Sequence, residues 1–277
     1  MIGPELEATY RAVVARIQKL DGAVVAFSGG VDSTLLLRLA HEALGDRALA
    51  LTTVSESLPA RERAEAEALA REIGVEHLWV ASNELERPGF AENPTNRCYF
   101  CKSELFDLAF QVARERDLPA VLYGATADDT GDHRPGMVAA REQGAIAPLL
   151  EAGLGKEAIR ALSSHLGLAT WNEQAMSCLS SRFPYGTSIS GARLAQVEAA
   201  EEILRREGFR EIRVRYHDAI ARIEVGQAEW LRLTDPETRD RVEAGIREAG
   251  FRYVALDLAP FRSGRLNEGV IEAPAGG

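Results

Sequence analysis

Long hydrophobic runs are missing from this chain, and basic residues are fewer than acidic ones. No apolar run approaches the ~18 residues that a membrane span needs. The first twenty residues mix charged and apolar side chains, as amphipathic helices do. We therefore expect a cytoplasmic protein with no signal peptide and no membrane partner.

The charge balance also limits the choice of partners. Lysine and arginine total 32, against 42 aspartates and glutamates, which gives a net charge of −10. Nucleic-acid binders gain much of their affinity from a basic surface that neutralises phosphates. We therefore expect no nucleic acid as the main partner.

Cysteine is rare, with only Cys98, Cys101 and Cys178 present. An odd number of cysteines in a chain expected inside the cell argues against a disulfide framework. The three thiols therefore need another explanation.

The first half of the chain alternates short apolar runs with helical patterns. The apolar runs predict strands at 23–27, 48–54, 77–80 and 120–124, with helices at 32–44 and 59–73. Strands separated by helices indicate right-handed βαβ units, and continuous apolar strands indicate a sheet covered on both faces. We predict an α/β fold with a doubly wound parallel sheet.

The pattern changes near residue 185, where 186–190 is predicted to be a linker. Beyond it we predict a helix, two strands, a helix and a strand, at 192–207, 212–216, 219–225, 237–248 and 253–258. This order predicts a smaller α+β domain. The expected division is 1–185, 186–267 and a disordered tail at 268–277.

Ser28, Gly29, Gly30, Asp32 and Ser33 lie between the first predicted strand and helix. Free backbone N–H groups and the helix dipole make such a turn favourable for an anion. Adjacent glycines allow unusual backbone angles and close approach of a phosphate. The spacing does not match a Walker loop, and a tight turn capped by Asp32 or Ser33 is the alternative interpretation.

The string SGGVDS at 28–33 resembles the signature of the PP-loop pyrophosphatase superfamily, which has an adenine nucleotide alpha hydrolase-like fold. The resemblance implies that the loop holds the β- and γ-phosphates of ATP while the α-phosphorus is attacked. Asp32 is then a candidate Mg²⁺ ligand, since carboxylates and phosphates commonly bind this ion. Gly124 lies at the end of the fourth predicted strand, so we expect the loop that begins there to face the phosphate loop and contact ATP.

Longer motifs resemble a narrower family. These are NPTNRCYFCK at 93–102, GDHRPG at 131–136, MSCLSSRFPYG at 176–186, and YVALDL at 253–258 followed by FRSG at 261–264. They are similar to the LarE family of ATP-dependent sulfur transferases, which act in nickel-pincer nucleotide biosynthesis and so in lactate racemase maturation. The resemblance implies adenylation of a carboxylate of a pyridinium-3,5-biscarboxylate mononucleotide, followed by replacement of AMP with sulfur. It also implies a sulfide source and a homo-oligomer.

The family contains two sulfur strategies. In one, a cysteine matching Cys178 gives up its own sulfur. In the other, cysteines matching Cys98, Cys101 and Cys178 hold a 4Fe-4S cluster, and the fourth iron is open to an added sulfide. All three cysteines are present, so we favour the cluster. The alternatives are a redox pair, a zinc site completed by His133 or His217, and a merely buried Cys178.

An anionic substrate requires cationic ligands, and several arginines are candidates. Arg182 is expected to act in catalysis near Cys178, and Arg213, Arg215 and Arg262 are expected to bind substrate, with Arg265 a further candidate. Arg213 and Arg215 alternate on one predicted strand and should face the same side. Upstream of Cys178, Glu173 and Gln174 replace the Lys-Pro usual in the family, which leaves the details of that loop open.

Three other functions remain to be distinguished. A PP-loop tRNA thiolase would share the cysteine chemistry, but the acidic charge argues against it. An ammonia-using amide synthetase or a nonenzymatic adenine-nucleotide sensor would leave the cysteines unexplained. Pyrophosphate release with tRNA, ammonia or a pyridinium dicarboxylate separates these alternatives.

Overall fold

The computed structural model describes residues 2–131, 134–173, 177–262 and 264–267. His133, Gln174 and the predicted tail at 268–277 lie outside the described residues. Among the helices of the described ranges, none combines the length and apolar character needed to cross a bilayer. The chain divides into two compact units, one of Met1–Glu84 with Asn96–Met176, the other of Leu85–Thr95 with Ser177–Gly277.

The first unit is built on a parallel sheet of four strands in the order β3-β2-β1-β4. Its strands are β1 (Ala23–Ala26), β2 (Ala48–Val54), β3 (Glu76–Ala81) and β4 (Ala120–Tyr123). Its helices are α1 (Pro4–Gln18), α2 (Val31–Leu44), α3 (Ala60–Ile73), α4 (Arg97–Glu115), α5 (Pro135–Glu142), α6 (Pro148–Glu151) and α7 (Lys156–His165). Val25 of β1 pairs with Ala50 and Leu122, so β1 is central.

Apolar side chains cover both faces of this sheet. Val25 points into a cluster with Leu36 of α2 and Ile159 of α7, whereas Val24 points into a second cluster with Phe106 of α4. All four residues of β1 are buried, as expected for a strand between two helical layers. The predicted doubly wound α/β fold is therefore confirmed.

The second unit contains a separate three-stranded sheet in the order β5-β6-β7. Its elements are α8 (Gly191–Arg206), β5 (Ile212–His217), β6 (Ile220–Val225), α9 (Trp230–Leu233), α10 (Pro236–Glu248) and β7 (Tyr253–Leu256). The β5–β6 pairing is antiparallel and the β6–β7 pairing is parallel. The predicted smaller α+β part at the C-terminus is confirmed as well.

Alternation along the strands gives this second sheet one apolar and one charged face. Val214 and Ile223 pair across β5 and β6 and are buried among the apolar residues. Their neighbours Arg213, Arg215 and Glu224 project to the opposite face, because side chains alternate along a strand. The charged face therefore carries Arg213 and Arg215, two of the candidate substrate-binding residues.

Leu85–Thr95 belongs to the second unit although it precedes α4 in the chain. Asn93 is fully buried with φ 55°, and its Nδ2 donates to Pro184 O at 2.8 Å. Its carbonyl accepts from Gly186 N, also at 2.8 Å. The units thus differ from the predicted ranges 1–185 and 186–267 in the placement of 85–95 and 177–185.

Candidate functional site

The phosphate loop joins β1 to α2 in the first unit. Gly29 has φ +79°, a left-handed conformation that favours glycine, whereas Gly30 has an ordinary φ of −72° as the N-cap of α2. Of the two adjacent glycines, only Gly29 uses the backbone freedom that glycine allows. Ser33 Oγ lies 3.1 Å from Ser28 Oγ and donates to Gly30 O at 3.1 Å. These hydrogen bonds fix the conformation of the loop. The loop ends at the first turn of α2, whose N–H groups have no partner within the helix.

Gly124 follows β4, which is the neighbour of β1 in the sheet. A methyl group on Gly124 would lie 3.0 Å from the Ser33 backbone nitrogen and 3.1 Å from the Asp32 carbonyl carbon. The structure thus brings Gly124 against the phosphate loop, where sequence order placed it. Only a residue without a side chain allows this approach.

Asp32, in the first turn of α2, lies near a second carboxylate. Burial raises the pKa of Asp32, and the charge of Asp129 raises it further, against the opposing charges of Lys156, Arg160 and Arg134. Asp129 is buried and accepts hydrogen bonds from Thr126 N at 2.9 Å and Thr126 Oγ1 at 3.1 Å. A divalent cation beside Asp32 and Asp129 would offset the negative charge that raises the pKa of Asp32.

Asp129, Lys156 and Arg160 were not assigned from the sequence. Asp128 and Asp129 were visible in the loop after β4, but nothing marked the basic pair at the start of α7. Lys156 N donates to Asp128 Oδ2 at 2.5 Å, which joins α7 to that loop. Their electrostatic effect on Asp32 depends on tertiary folding and therefore carries no sequence signature.

Arg160 also holds the stretch where Glu173 replaces the usual lysine. Its guanidinium donates to Trp171 O at 2.9 Å and to Glu173 O at 2.7 Å. Burial and the charge of Glu65 raise the pKa of Glu173, opposed by Arg61 of α3. At the position where the family usually has a lysine, this chain therefore has Glu173, whose carboxyl group is partly desolvated.

Cys98 and Cys101 lie in the first turn of α4, three residues apart and so on one helical face. Cys98 is exposed, Cys101 is half-buried, and neither forms a disulfide. Two accessible thiols on one face are suited to bind a thiophilic group such as an iron–sulfur cluster.

Cys178 lies in the second unit, immediately before the 3-10 helix Leu179–Arg182. It is a half-buried thiol outside any disulfide. Ser181 Oγ donates to Cys178 O at 2.8 Å, which closes a tight turn around the cysteine. Within the residues that the structure describes, no group of three or more Cys, His, Asp or Glu side chains forms a metal site.

Arg182 anchors the turn that carries Cys178. Its side chain is almost fully buried, and Nη1 donates to Ser177 O at 2.6 Å and Cys178 O at 2.9 Å. Nε and Nη2 donate to the two oxygens of Glu201 at 2.8 and 2.9 Å. Burial alone would raise the pKa of Glu201, but the charge and hydrogen bonds of Arg182 outweigh it and lower that pKa. These contacts make Arg182 a positioning residue for Cys178.

Arg213 and Arg215 reach the same turn from the charged face of β5. Arg213 Nη2 donates to Ser177 Oγ at 3.2 Å, and Arg215 Nη1 donates to Ser181 O at 2.9 Å. Three arginines therefore contact the turn at 177–181, and the expectation that Arg213 and Arg215 share a face agrees with the strand register. Arg262 is exposed and follows Phe261, whose ring lies 4.8 Å from the Arg213 guanidinium carbon.

Comparison with known proteins identifies relatives of the whole chain. The NAD synthase family model matches residues 5–93, which include the phosphate loop. Pyridinium-3,5-bisthiocarboxylic acid mononucleotide synthase of Lactiplantibacillus plantarum is 40% identical over 269 residues, covering 96% of each chain. An uncharacterised protein of Synechocystis is 43% identical over 249 residues, covering 90% of this chain and 93% of that protein. Another, of Methanocaldococcus jannaschii, is 25% identical over 240 residues.

These matches agree with the resemblance drawn from the cysteine and arginine motifs. The identity to the synthase extends over nearly the full length of both chains, so it includes the phosphate loop and the Cys178 turn alike. The protein therefore belongs to the LarE family of PP-loop enzymes.

Proposed function

We propose that this protein is an ATP-dependent sulfur transferase acting on a pyridinium-3,5-biscarboxylate mononucleotide. A carboxylate oxygen of the substrate attacks the α-phosphorus of ATP, forms an acyl adenylate and releases pyrophosphate. A sulfur nucleophile then attacks the acyl carbon, the C–O bond to AMP breaks, and a thiocarboxylate remains. The name of the L. plantarum relative, a bisthiocarboxylic acid mononucleotide synthase, supports this product class.

The first step is assigned to the phosphate loop. Ser28, Gly29, Gly30, Ser33 and Gly124 would hold the phosphates of ATP, through hydroxyls and backbone N–H groups that bind anions at a helix start. Asp32 and Asp129 would hold Mg²⁺, because their unfavourable proximity is relieved by a cation. Lys156 and Arg160 add positive charge near the departing pyrophosphate.

The second step is assigned to Cys178, and the three arginines around its turn are the observation that carries the proposal. Arg182 positions the turn, while Arg213, Arg215 and Arg262 would bind the anionic groups of the substrate. In this proposal the second unit is the substrate-binding and oligomerisation domain, and the protein self-associates.

We further propose that Cys98, Cys101 and Cys178 ligate a 4Fe-4S cluster. Thiolates are the ligands of such clusters, and Cys98 and Cys101 are both accessible on one face of α4. When bound, the cluster would supply an exchangeable sulfide at the iron that no cysteine ligates. The competing proposal is that Cys178 gives up its own sulfur.

Two variants test the division of roles. Asp32→Ala should reduce pyrophosphate release at least about 10³-fold, since it removes a metal ligand from the adenylation step. Cys178→Ala should keep pyrophosphate release and stop thiocarboxylate formation. Asp46→Ala, an exposed aspartate just beyond α2, is the matched control and should leave both activities intact. Equal loss of both activities in Cys178→Ala would contradict the assignment.

Iron and acid-labile sulfide content of anaerobically purified protein distinguishes the two sulfur sources. About four irons per chain, lost on replacing any one of the cysteines, support the cluster. The absence of iron, with Cys98→Ala retaining a single turnover and mass spectrometry showing sulfur lost from Cys178, supports the sacrificial route.

A further inference from the structure

A cavity of about 190 Å³ opens on the charged face of the second unit's sheet. Four of its lining residues come from the adjacent strands β5 and β6, and two come from the 3-10 helix Arg265–Asn267. Arg182 and Pro184 complete the wall, so the cavity adjoins the turn that carries Cys178. The lining residues are Arg182, Pro184, Arg215, His217, Arg222, Glu224, Arg265 and Leu266.

Arg215 and Arg222 lie directly opposite each other on β5 and β6, an arrangement that is normally unfavourable. Buried Glu224 holds them, with Oε2 2.8 Å from Arg215 Nη2 and Oε1 3.2 Å from Arg222 Nη2. Arg265 lies 3.0 Å from Asp257 and 3.5 Å from Glu224. Three arginines thus share two carboxylates, which leaves an excess positive charge at the cavity.

Asp257 supplies the second carboxylate of this network. Burial alone would raise its pKa, but the hydrogen bonds from Ala259 N and Arg265, together with the charge of Arg222, lower it. Asp257 is therefore ionised at neutral pH, and the arginines around it are held in place before any ligand arrives.

Three nitrogen atoms at this cavity are buried without a hydrogen-bond partner among the described residues. They are Arg215 Nε, Arg222 Nε and His217 Nε2. Leaving a buried polar group unpaired costs roughly 1–3 kcal/mol. The Nε atoms of Arg215 and Arg222 can only donate, so these two atoms point to a missing acceptor. Arg215, which is only 7% exposed, cannot instead turn its whole side chain to solvent.

Burial and the neighbouring arginines both lower the pKa of His217. Burial lowers the pKa of His217, and the charges of Arg222 and Arg215 lower it further, while Asp218 and Glu224 oppose them. Burial is the largest cause of this shift; the excess positive charge itself comes from the three arginines that share Glu224 and Asp257. An anion is therefore the ligand that the cavity favours.

We propose that this cavity binds the phosphate monoester of the mononucleotide substrate. A phosphate monoester offers three terminal oxygens and nearly two negative charges, which match donors arriving from several residues. A carboxylate, with two oxygens, is satisfied by a single guanidinium and would leave donors unpaired. The inference rests on the proposed function, and it separates the phosphate cavity from Arg213, which contacts Ser177 at the Cys178 turn.

Binding of two matched compounds tests this assignment. Nicotinic acid mononucleotide and nicotinic acid riboside share a pyridinium carboxylate and ribose, and only the first carries phosphate. By calorimetry, the wild-type protein should bind the mononucleotide at least about tenfold more tightly. Arg222→Gln and Arg265→Gln should each weaken mononucleotide binding roughly tenfold, the effect of one lost charged hydrogen bond, with riboside binding unchanged.

Arg239→Gln is the matched control, because Arg239 is an exposed arginine paired with Asp240 on α10. It should leave both affinities at their wild-type values, and melting curves verify that every variant is folded. Equal loss of mononucleotide and riboside binding in Arg222→Gln and Arg265→Gln would overturn the assignment. So would a wild-type protein that does not prefer the mononucleotide.

Pyrophosphate release separates failure of this inference from failure of the proposed function. If the function holds, Arg222→Gln and Arg265→Gln should raise KM for the pyridinium dicarboxylate mononucleotide about tenfold and change kcat little. A wild-type protein that releases no pyrophosphate with any pyridinium carboxylate refutes the function. In that case the preference for the phosphorylated compound would still be measured by calorimetry.

Discussion

The two units prepare for anions by different physical means. In the first, the phosphate loop uses glycine backbone and serine hydroxyls, and its acidic residue Asp32 has a raised pKa. In the second, arginines surround the Cys178 turn and its acidic residue Glu201 has a lowered pKa. The charges of Lys156, Arg160 and Arg134 do not cancel the raised pKa of Asp32, whereas Glu201 is already neutralised by Arg182. The first site is therefore completed by its ligands, and the second is assembled by folding.

Glu201→Gln tests the second half of this comparison and should have the largest effect. Removing the carboxylate leaves the buried charge of Arg182 unpaired, which should lower the free energy of unfolding by about 3–5 kcal/mol. Chemical denaturation measures the change. Glu202→Gln, which removes an exposed partner of Arg206 on the same helix, should cost about 1 kcal/mol or less. Similar losses of unfolding free energy in the two variants would refute the view that the buried Arg182–Glu201 pair stabilises the Cys178 turn.

Gly124→Ala tests the part of the comparison that concerns the phosphate loop of the first unit. The new methyl group would lie within 3.2 Å of backbone atoms of Asp32 and Ser33, so the phosphate loop must shift. We expect pyrophosphate release to fall about 10–100-fold, because small displacements of positioning groups slow catalysis strongly. Gly3→Ala is the control, since nothing lies within 4 Å of a methyl group there. Wild-type rates in Gly124→Ala would show that the loop adapts.

Acid should affect the assembled site in a defined pH range. Because the folded pKa of Glu201 lies below its ordinary value of 4.5, the pair contributes fully above pH 4.5. That contribution is lost as the pH falls through the lowered pKa. As the pH falls below about 4.5, the wild-type protein should therefore lose more stability than Glu201→Gln. Parallel pH profiles from denaturant titrations would contradict this expectation.

Asp32→Asn should have the smallest effect, and its sign is opposite to that of Glu201→Gln. With the folded pKa of Asp32 raised, its ionised form opposes folding at neutral pH. The variant should melt about 2 °C higher without ligand and gain no further stability from Mg²⁺ and ATP. A lower melting temperature for the unliganded variant would show that Asp32 is already neutralised.

The sequence could predict the positions of candidate residues that are contiguous in the chain or that alternate along one strand. The phosphate loop is a single string, Gly124 follows from the order of parallel strands, and Arg213 and Arg215 follow from alternation along β5. The role of Arg182 could not be foreseen, because it depends on Glu201, nineteen residues away on another element. Asp129 acquires its effect on Asp32 only when two loops meet.

The arginine-lined cavity of the second unit could not be predicted from the sequence either. Arg222 and His217 give no motif, and their unpaired nitrogens exist only once β5, β6 and the 3-10 helix at Arg265 are packed together. A network of shared ion pairs is a property of side-chain geometry, which periodicity does not report. Local patterns therefore predicted the phosphate loop far better than the arginine network.

The segment Leu85–Thr95 has a consequence for how the protein is made. Asn93 leaves the ribosome about ninety residues before the carbonyl of Phe183 to which its amide donates. At ~5–20 residues per second, that delay lasts roughly 5–20 s. During this interval the segment lies between β3 and α4 without the residues that will bury it. Because the segment interrupts the chain of the first unit, synthesis of the second unit begins before synthesis of the first unit ends. A slowed ribosome between 95 and 190 would prolong exposure of this segment to proteases and chaperones.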